Sequence, residues 1–174
     1  MKTMTETADN KAPAENQPLG MLSWLWLSTA VVILDQATKL WVVAVFEKYE
    51  RLAVLPFFNL TLAHNEGAAF SFLAGAGGWQ RWFFTAIAAV VSVVLIMWLR
   101  KLPKTDRLIA VALALILGGA LGNLYDRVTL GYVVDFLDFY WQDYHFPAFN
   151  VADSAITVGA GLMILDMFIH PGKR

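Results

Sequence analysis

"FNVADSAITVGAGL", residues Phe149 to Leu162, begins an apolar run with a carboxylate. Small and aliphatic residues continue from here to Ile169. At 1.5 Å per residue, Val151 to Ile169 gives roughly 28 Å of helix, close to the hydrocarbon thickness of about 30 Å. Asp153 falls in the first turn of that span. "GYVVDF", just upstream at Gly131 to Phe136, sets Asp135 in similarly apolar company. A charge near hydrocarbon is costly, and ionisable residues there usually face a bundle interior or a water-filled cavity.

Composition agrees with a membrane setting. The chain has 174 residues, 58% hydrophobic and 16% charged, more apolar and less charged than an ordinary soluble domain. A net charge of −1, with no basic stripe or aromatic-interleaved Arg cluster, argues against nucleic acid as a partner. The chain has no cysteine, which removes disulfides, thiolate nucleophiles and cysteine metal sites from consideration.

Four spans are predicted, at about 22–46, 82–99, 108–124 and 151–169, within one membrane domain over residues 21–170. Residues 1–20 are polar without an apolar face and read as a flexible tail; 171–174 form a short C-terminal tail. The first span is too long for a signal-peptide core and no small-residue cleavage site comes after it, so it reads as retained. "RKLPKTDR" between spans 2 and 3 carries Arg100, Lys101, Lys104 and Arg107, and the chain ends in Lys173 and Arg174. The positive-inside rule puts these, and both termini, in the cytoplasm. The 3–4 connection, read as containing Asp126, Arg127, Asp135, Asp138 and Asp143, then faces outward. So does the 1–2 connection, where the alternation of Asn59-Leu60-Thr61-Leu62 predicts strand. The fold class expected is an all-α membrane protein of four helices, with a small β element and an amphipathic segment, "FLDFYWQDYHF", on the outer side. That segment's mixed aromatics and carboxylates suit a stretch lying on the membrane as a lid.

Asp135 and Asp153 meet at the outer level in this topology. Alternative readings remain for each: Asn150 as N-cap with Asp153 as the N3 residue of the helix, and Asp135 as a solvated loop carboxylate. Two carboxylates a few ångströms apart cannot both ionise easily, so one keeps its proton where the other has lost it. The ionised member can take a proton from water attacking an amide, and the protonated member can assist the carbonyl oxygen and then the leaving amine. This scheme calls for no metal, cofactor or covalent intermediate. His64, His145 and His170 are scattered without a zinc-hydrolase pattern, and Ser154 lacks a nucleophile elbow.

Other polar residues gather on the same side. Asp35 and Lys39 stand four apart, suited to an ion pair. Asn123 and Arg127 could bind substrate backbone, fix the Asp135 segment or anchor the interface. Asn65 in "HNEGAAF" is turn chemistry or a substrate contact. Gly118 with Gly122, and Ala155 with Gly159, are small-xxx-small faces for close helix packing. "AGAGG" lacks the Lys-Ser/Thr of a phosphate loop and reads as a turn.

"DQATK" at Asp35 to Lys39, "NEGAAF" at Asn65 to Phe70, "GNLYDRVTLGYVVDF" at Gly122 to Phe136 and "FNVADSAI" at Phe149 to Ile156 together resemble the motifs of bacterial lipoprotein signal peptidase, also called signal peptidase II. The resemblance covers nearly everything after the N-terminal tail. It implies an aspartic endopeptidase of the inner membrane, with Asp135 and Asp153 as its dyad. Its substrates would be prolipoproteins whose future N-terminal cysteine carries a diacylglyceryl group, met at the periplasmic side among membrane lipid. Asp35, Lys39, Asn65, Asn123, Asp126, Arg127 and Asn150 match positions tied to the site or its support. A monomer is expected. Two other classes stay open: a proton-coupled transporter or channel subunit, whose ionisable groups would line a path through the midplane, and a non-catalytic assembly factor using the glycine faces.

Overall fold

The structure is a computed structural model that describes residues 19–67 and 77–170. The readings made for residues 1–18 of the N-terminal tail, for 171–174, for the end of "NEGAAF" and for most of "AGAGG" lie outside those residues. A 3₁₀ turn, Leu22–Trp24, leads into α1 (Leu25–Val45); β1 (Arg51–Leu55), β2 (Phe58–Asn65), α2 (Trp79–Lys101), α3 (Arg107–Thr129), β3 (Val133–Trp141), β4 (Tyr144–His145) and α4 (Val151–Ile169) come next in chain order. Among the described residues, four helical segments are long and apolar enough to cross a membrane.

Helix α3 is the axis of the bundle. From Leu108 to Gly122 it is apolar around its whole circumference, the pattern of a helix enclosed by others, and Ala110, Ala112, Leu113 and Ala114 are fully buried. Lipid supplies no hydrophobic drive between helices, so association depends on close approach through small residues. Gly118 lies against Val31 and the Ser28 carbonyl of α1, Gly119 against Ala152 of α4, and Gly159 of α4 against the Ala112 carbonyl and Ile116 of α3. The Ser28 hydroxyl donates to the Ala114 carbonyl at 2.8 Å. Helix α1 buries Ser28, Val31, Asp35, Lys39 and Val42, a single stripe at three- and four-residue spacing. Its large apolar residues, Ile33, Leu34, Leu40 and Trp41, are exposed. A helix with its polar stripe inside and its apolar face outside is built for a lipid surround.

Two boundaries differ from the sequence-based expectation. Helix α2 begins at Trp79 rather than Trp82, and α3 continues to Thr129 rather than ending at Leu124. Asp126 and Arg127 therefore belong to α3 and not to the connection after it. Hydropathy falls at Asn123, but the backbone need not break there, because the polar side chains beyond it find partners inside the protein. Gly131, at φ +92°, ends the helix: its N–H and that of Leu130 both donate to the Asp126 carbonyl, a left-handed C-terminal cap that glycine adopts without strain. Arg81 of α2 donates to the Arg127 and Val128 carbonyls at 2.7 and 2.8 Å.

The strands form one antiparallel order, β1-β2-β3-β4. The alternating Asn59–Leu62 stretch lies in β2. "FLDFYWQDYHF" forms most of β3 and the short turn into β4, with Gln142 at φ +54°. The segment read as an amphipathic stretch is thus strand and turn within the sheet, its inner end buried in β3 and its aromatic tip, Trp141 and Tyr144, exposed. Sheet and bundle join through a cluster of Val42, Phe46, Leu62, Val134 and Phe136.

A side chain at Gly159 has no room, since a Cβ there falls 2.7 Å from both the Ala112 oxygen and Ile116 Cγ1. Gly159→Val is expected to destabilise the protein by about 1–3 kcal/mol, read as a lower thermal midpoint in detergent. Gly161→Ala, which meets open space, is expected to leave that midpoint in place.

Candidate active site

Lys39 is the first group to account for, because its side chain is buried. Its ammonium lies 2.8 Å from Asp35 Oδ2, 2.9 Å from Asp126 Oδ2 and 3.0 Å from Asn123 Oδ1, so all three of its donors are used. Each carboxylate has a second task. Asp35 Oδ1 accepts the Ala152 N–H at the start of α4 at 2.9 Å, and Asp126 Oδ2 accepts the Val134 N–H at the start of β3 at 3.1 Å. Gln36 donates to Asp126 Oδ1 at 2.9 Å and to Asp35 Oδ2 at 3.2 Å. One cation thus ties α1, α3, α4 and β3 together.

Two asparagines carry this order to the aspartate pair. Asn123, fixed by Lys39 through its oxygen, donates from Nδ2 to Asp153 Oδ1 at 2.7 Å. Asn150 donates from Nδ2 to Asp135 Oδ1 at 2.7 Å, and to Asn123 Oδ1 and the Val134 carbonyl at 3.2 Å. The Asn150 oxygen accepts the Asp153 N–H at 2.9 Å while Asp153 Oδ2 accepts the Asn150 N–H at 3.3 Å, a reciprocal capping box. The capping geometry is therefore present, yet it uses Asp153 Oδ2 and leaves Oδ1 to Asn123. Asp135 is buried rather than solvated. Strand β3 pairs it with Ala63, and Asn65, two residues further along β2, donates to Asp135 Oδ2 at 3.0 Å. The Asn65 oxygen accepts the Gly67 N–H, so this residue makes its turn and holds the carboxylate as well. Arg127 donates to the Gly67 carbonyl at 3.1 Å and the Asn123 carbonyl at 3.3 Å, and lies over the Phe84 ring.

Asp135 and Asp153 line one cavity of about 980 Å³, with Asn65, Asn123, Arg127 and the Phe146–Phe149 segment. Burial, then the charge of Asp153, pushes the Asp135 carboxyl up to about 7, against the hydrogen bonds from Asn65 and Asn150 and the Lys39 charge. Near neutral pH this carboxyl holds a proton part of the time. An acid able to give a proton thus faces the same space as a second carboxylate able to take one.

All nine residues singled out in the sequence fall in this one network. Asp35, Lys39 and Asp126 sit behind the cavity wall and do not line it; Asn150 is buried between the two aspartates' anchors. The sequence reading gave no site role to Gln36, Arg81 or His64, and weighed His64 only as a zinc ligand. Gln36 stands beside Asp35 in "DQATK", which is its only signal. His64, stacked on Tyr132 at 3.9 Å, lines the cavity; burial and then Lys48 hold its imidazole below its ordinary range, against Glu66.

Comparison with known proteins bears on this geometry. The family model described as signal peptidase (SPase) II matches residues 27–169. The lipoprotein signal peptidase of Alteromonas mediterranea is 59% identical over 153 residues, covering 88% of this chain and 84% of that protein. That of Pseudomonas putida is 60% identical over 151 residues, covering 86% and 88%. A bacterial membrane enzyme solved by the in meso method at 2.3 Å resolution matches with a TM-score of 0.79 at 34% identity, over 88% of this chain and 92% of that one. A match spanning four helices, the sheet and every residue of the polar network leaves one assignment: the chain belongs to the signal peptidase II family.

Proposed function

We propose that Asp135 and Asp153 are the catalytic dyad of this aspartic endopeptidase, and that it cleaves the signal peptide from diacylglyceryl-modified prolipoproteins on the amino side of the lipid-bearing cysteine. The observation that carries the dyad is the pair of 2.7 Å hydrogen bonds from Asn123 and Asn150, which hold one carboxylate each toward a shared cavity. The ionised carboxylate removes a proton from water as its oxygen attacks the amide carbon. The protonated partner gives its hydrogen to the carbonyl oxygen, leaving a neutral tetrahedral diol. Collapse of the diol breaks the carbon–nitrogen bond as one diol hydroxyl returns its proton to the carboxylate that had protonated the carbonyl oxygen, and the proton taken from water passes to the leaving amine, which restores the singly protonated pair. The proton belongs to the pair, so the two steps are not divided between named residues.

Asp35, Lys39, Asp126, Asn65, Asn123, Arg127 and Asn150 support the pair by holding it, and the protein is read as acting as a monomer. Residues 21–170 act as a single protease domain in the bacterial inner membrane. The basic 2–3 connection, at the end of the bundle away from the cavity, supports cytoplasmic termini and a periplasmic site. A lipid-anchored cysteine keeps the scissile amide near headgroup level, and the cavity lies at that end of the helices. Membrane lipid is then the medium through which substrate arrives.

Three measurements test this reading. Asp135→Asn and Asp153→Asn are each expected to reduce cleavage of a diacylglyceryl prolipoprotein by at least about 10³-fold while the protein stays folded; near-normal cleavage by either variant removes that residue from the dyad. The second concerns pH. Since Asp135 keeps its proton up to about 7, kcat/KM is expected to fall as pH rises through that value and both carboxylates ionise. The same raised value makes a contribution to stability that is complete below the unfolded value near 4 and is lost as pH climbs through about 7. The thermal midpoint of wild type should therefore decline over that window more than that of Asp135→Asn. The third uses the absence of native cysteine: a cysteine at Lys104 should resist a membrane-impermeant thiol reagent in intact spheroplasts and one at Gln142 should react, and the reverse pattern would invert the topology.

A further inference from the structure

Strand alternation turns Asp135 and Asp138 to opposite sides of β3. Asp138 belongs neither to the Lys39 network nor to the cavity lining, yet it is 3% exposed. Its carboxylate is surrounded by donors from all three other strands. Asn59 of β2, its direct cross-strand partner, donates to Oδ2 at 3.0 Å. His145 Nδ1 of β4 lies 2.8 Å from Oδ1 and 3.0 Å from Oδ2. Arg51 Nε of β1 is an ion-pair partner at 3.6 Å on an exposed side chain. Tyr140 pairs with His145 and stacks on its ring at 5.2 Å, which aims the imidazole diagonally back to Asp138, two residues along the same face.

The position of His145 in the chain gives this cluster its consequence. Strand β4 is two residues long and pairs with β3 at Tyr144 and His145 alone. The chain then runs through Phe146, Pro147, Ala148 and Phe149, all four lining the cavity, and reaches Asn150 and α4 directly. Backbone bonds hold the two ends of this wall to β3: Phe146 N–H to the Phe139 carbonyl at 2.8 Å, and Phe149 N–H to the Leu137 carbonyl at 3.1 Å. Pro147 and Ala148, between those ends, lie outside the strands. A ladder this short is marginal by itself, and a charge-assisted side-chain bond is roughly twice as strong as a neutral one.

We infer that Asp138 and His145 form a latch that fixes the Phe146–Phe149 wall of the cavity, making His145 a positioning residue for capture of the substrate. The effect on substrate rests on the peptidase reading; the latch itself does not. The wall presents apolar surface beside the aspartates without touching the reacting atoms, so its displacement weakens binding more than it slows chemistry.

His145→Ala removes the donor, whereas His145→Asn places an amide Nδ2 close to where Nδ1 stood. Backbone hydrogen exchange, monitored in detergent by mass spectrometry, is expected to accelerate at least about tenfold over residues 144–149 in His145→Ala, with β1 and α4 unchanged, and to return toward wild type in His145→Asn. Steady-state cleavage of a diacylglyceryl prolipoprotein is expected to show KM raised about tenfold in His145→Ala, kcat within about twofold, and KM recovered in His145→Asn. Exchange over 144–149 that does not respond to His145→Ala overturns the latch whatever the activity. Exchange that responds while KM stays at the wild-type value, or a loss confined to kcat, overturns the positioning role. A wild-type protein that cleaves nothing counts against the peptidase reading, and the exchange result still decides the latch.

Discussion

The ammonium of Lys39 sits where water does not reach, and the rest of the site depends on how that charge is satisfied. Two carboxylates and an amide oxygen within 3.0 Å take all three of its hydrogens. A charge taken out of water is tolerated only with close partners of good geometry, and removal of one partner leaves a penalty of about 3–5 kcal/mol. That requirement fixes positions as well as energies. Asp35 and Asp126 cannot move from Lys39, and each also accepts an N–H at the beginning of another element, Ala152 for α4 and Val134 for β3. The starts of the two segments that carry Asp153 and Asp135 are thus attached to the same cation. The network's formal charges, one positive and two negative, also explain why Asn123 rather than a third carboxylate completes the set.

At the start of α4, the fold and the proposed chemistry use the same atoms. Four N–H groups at a helix N-terminus need acceptors, and the capping box joins Asn150 and Asp153 through one N–H of each. A carboxylate at N3 is also favoured by the helix dipole. Capping is therefore compatible with the catalytic role proposed for Asp153: the cap orients Oδ2 and Asn123 orients Oδ1. Asn150 likewise serves twice, its oxygen in the cap and its amide on Asp135, so that one side chain sets both members of the pair. Asp135 differs in being held by a strand. Its amide partners, Asn65 and Asn150, favour the ionised form, while burial and Asp153 oppose it and prevail.

Much of this was legible in the sequence because a lipid surround leaves few alternatives. The apolar run from Val151 to Ile169 ends where the helix ends, since Asn150 is a cap and the C-terminal side turns polar. Ionisable residues in apolar company, Asp35, Lys39, Asp135 and Asp153, pointed to one polar centre for the reason that isolated charges are not tolerated there. The end of α3 was not legible. Asn123, Asp126 and Arg127 look like the exit from a span, and partners from distant parts of the chain, Lys39, Gln36, Gly67 and Arg81 among them, support that turn as helix. Strand β3 was hidden for a similar reason: "VVDFLDFYW" has the mixed polarity of an interfacial segment, and its partner strand β2 lies roughly 75 residues earlier in the chain, a loop closure that local pattern does not encode. Pattern within one window cannot report a partner so far away.

The proposed dyad joins two kinds of structure, a helix that belongs to the membrane bundle and a strand that belongs to the sheet. Its geometry can therefore be no firmer than the junction between them. Three ties cross that junction close to the site: Asp126 to Val134, Asn150 to Asp135, and Asn150 to the Val134 carbonyl. A fourth is apolar, the packing of Val42 and Phe46 at the end of α1 against Val134 and Phe136. Disturbing the sheet far from the bundle shifts Asp135 and leaves Asp153 in place, whereas disturbing α3–α4 packing shifts Asp153. Those two kinds of change act on opposite members of one pair. The raised affinity of Asp135 for its proton depends partly on the nearness of Asp153, so either change acts on the proton that the pair shares as well as on its geometry.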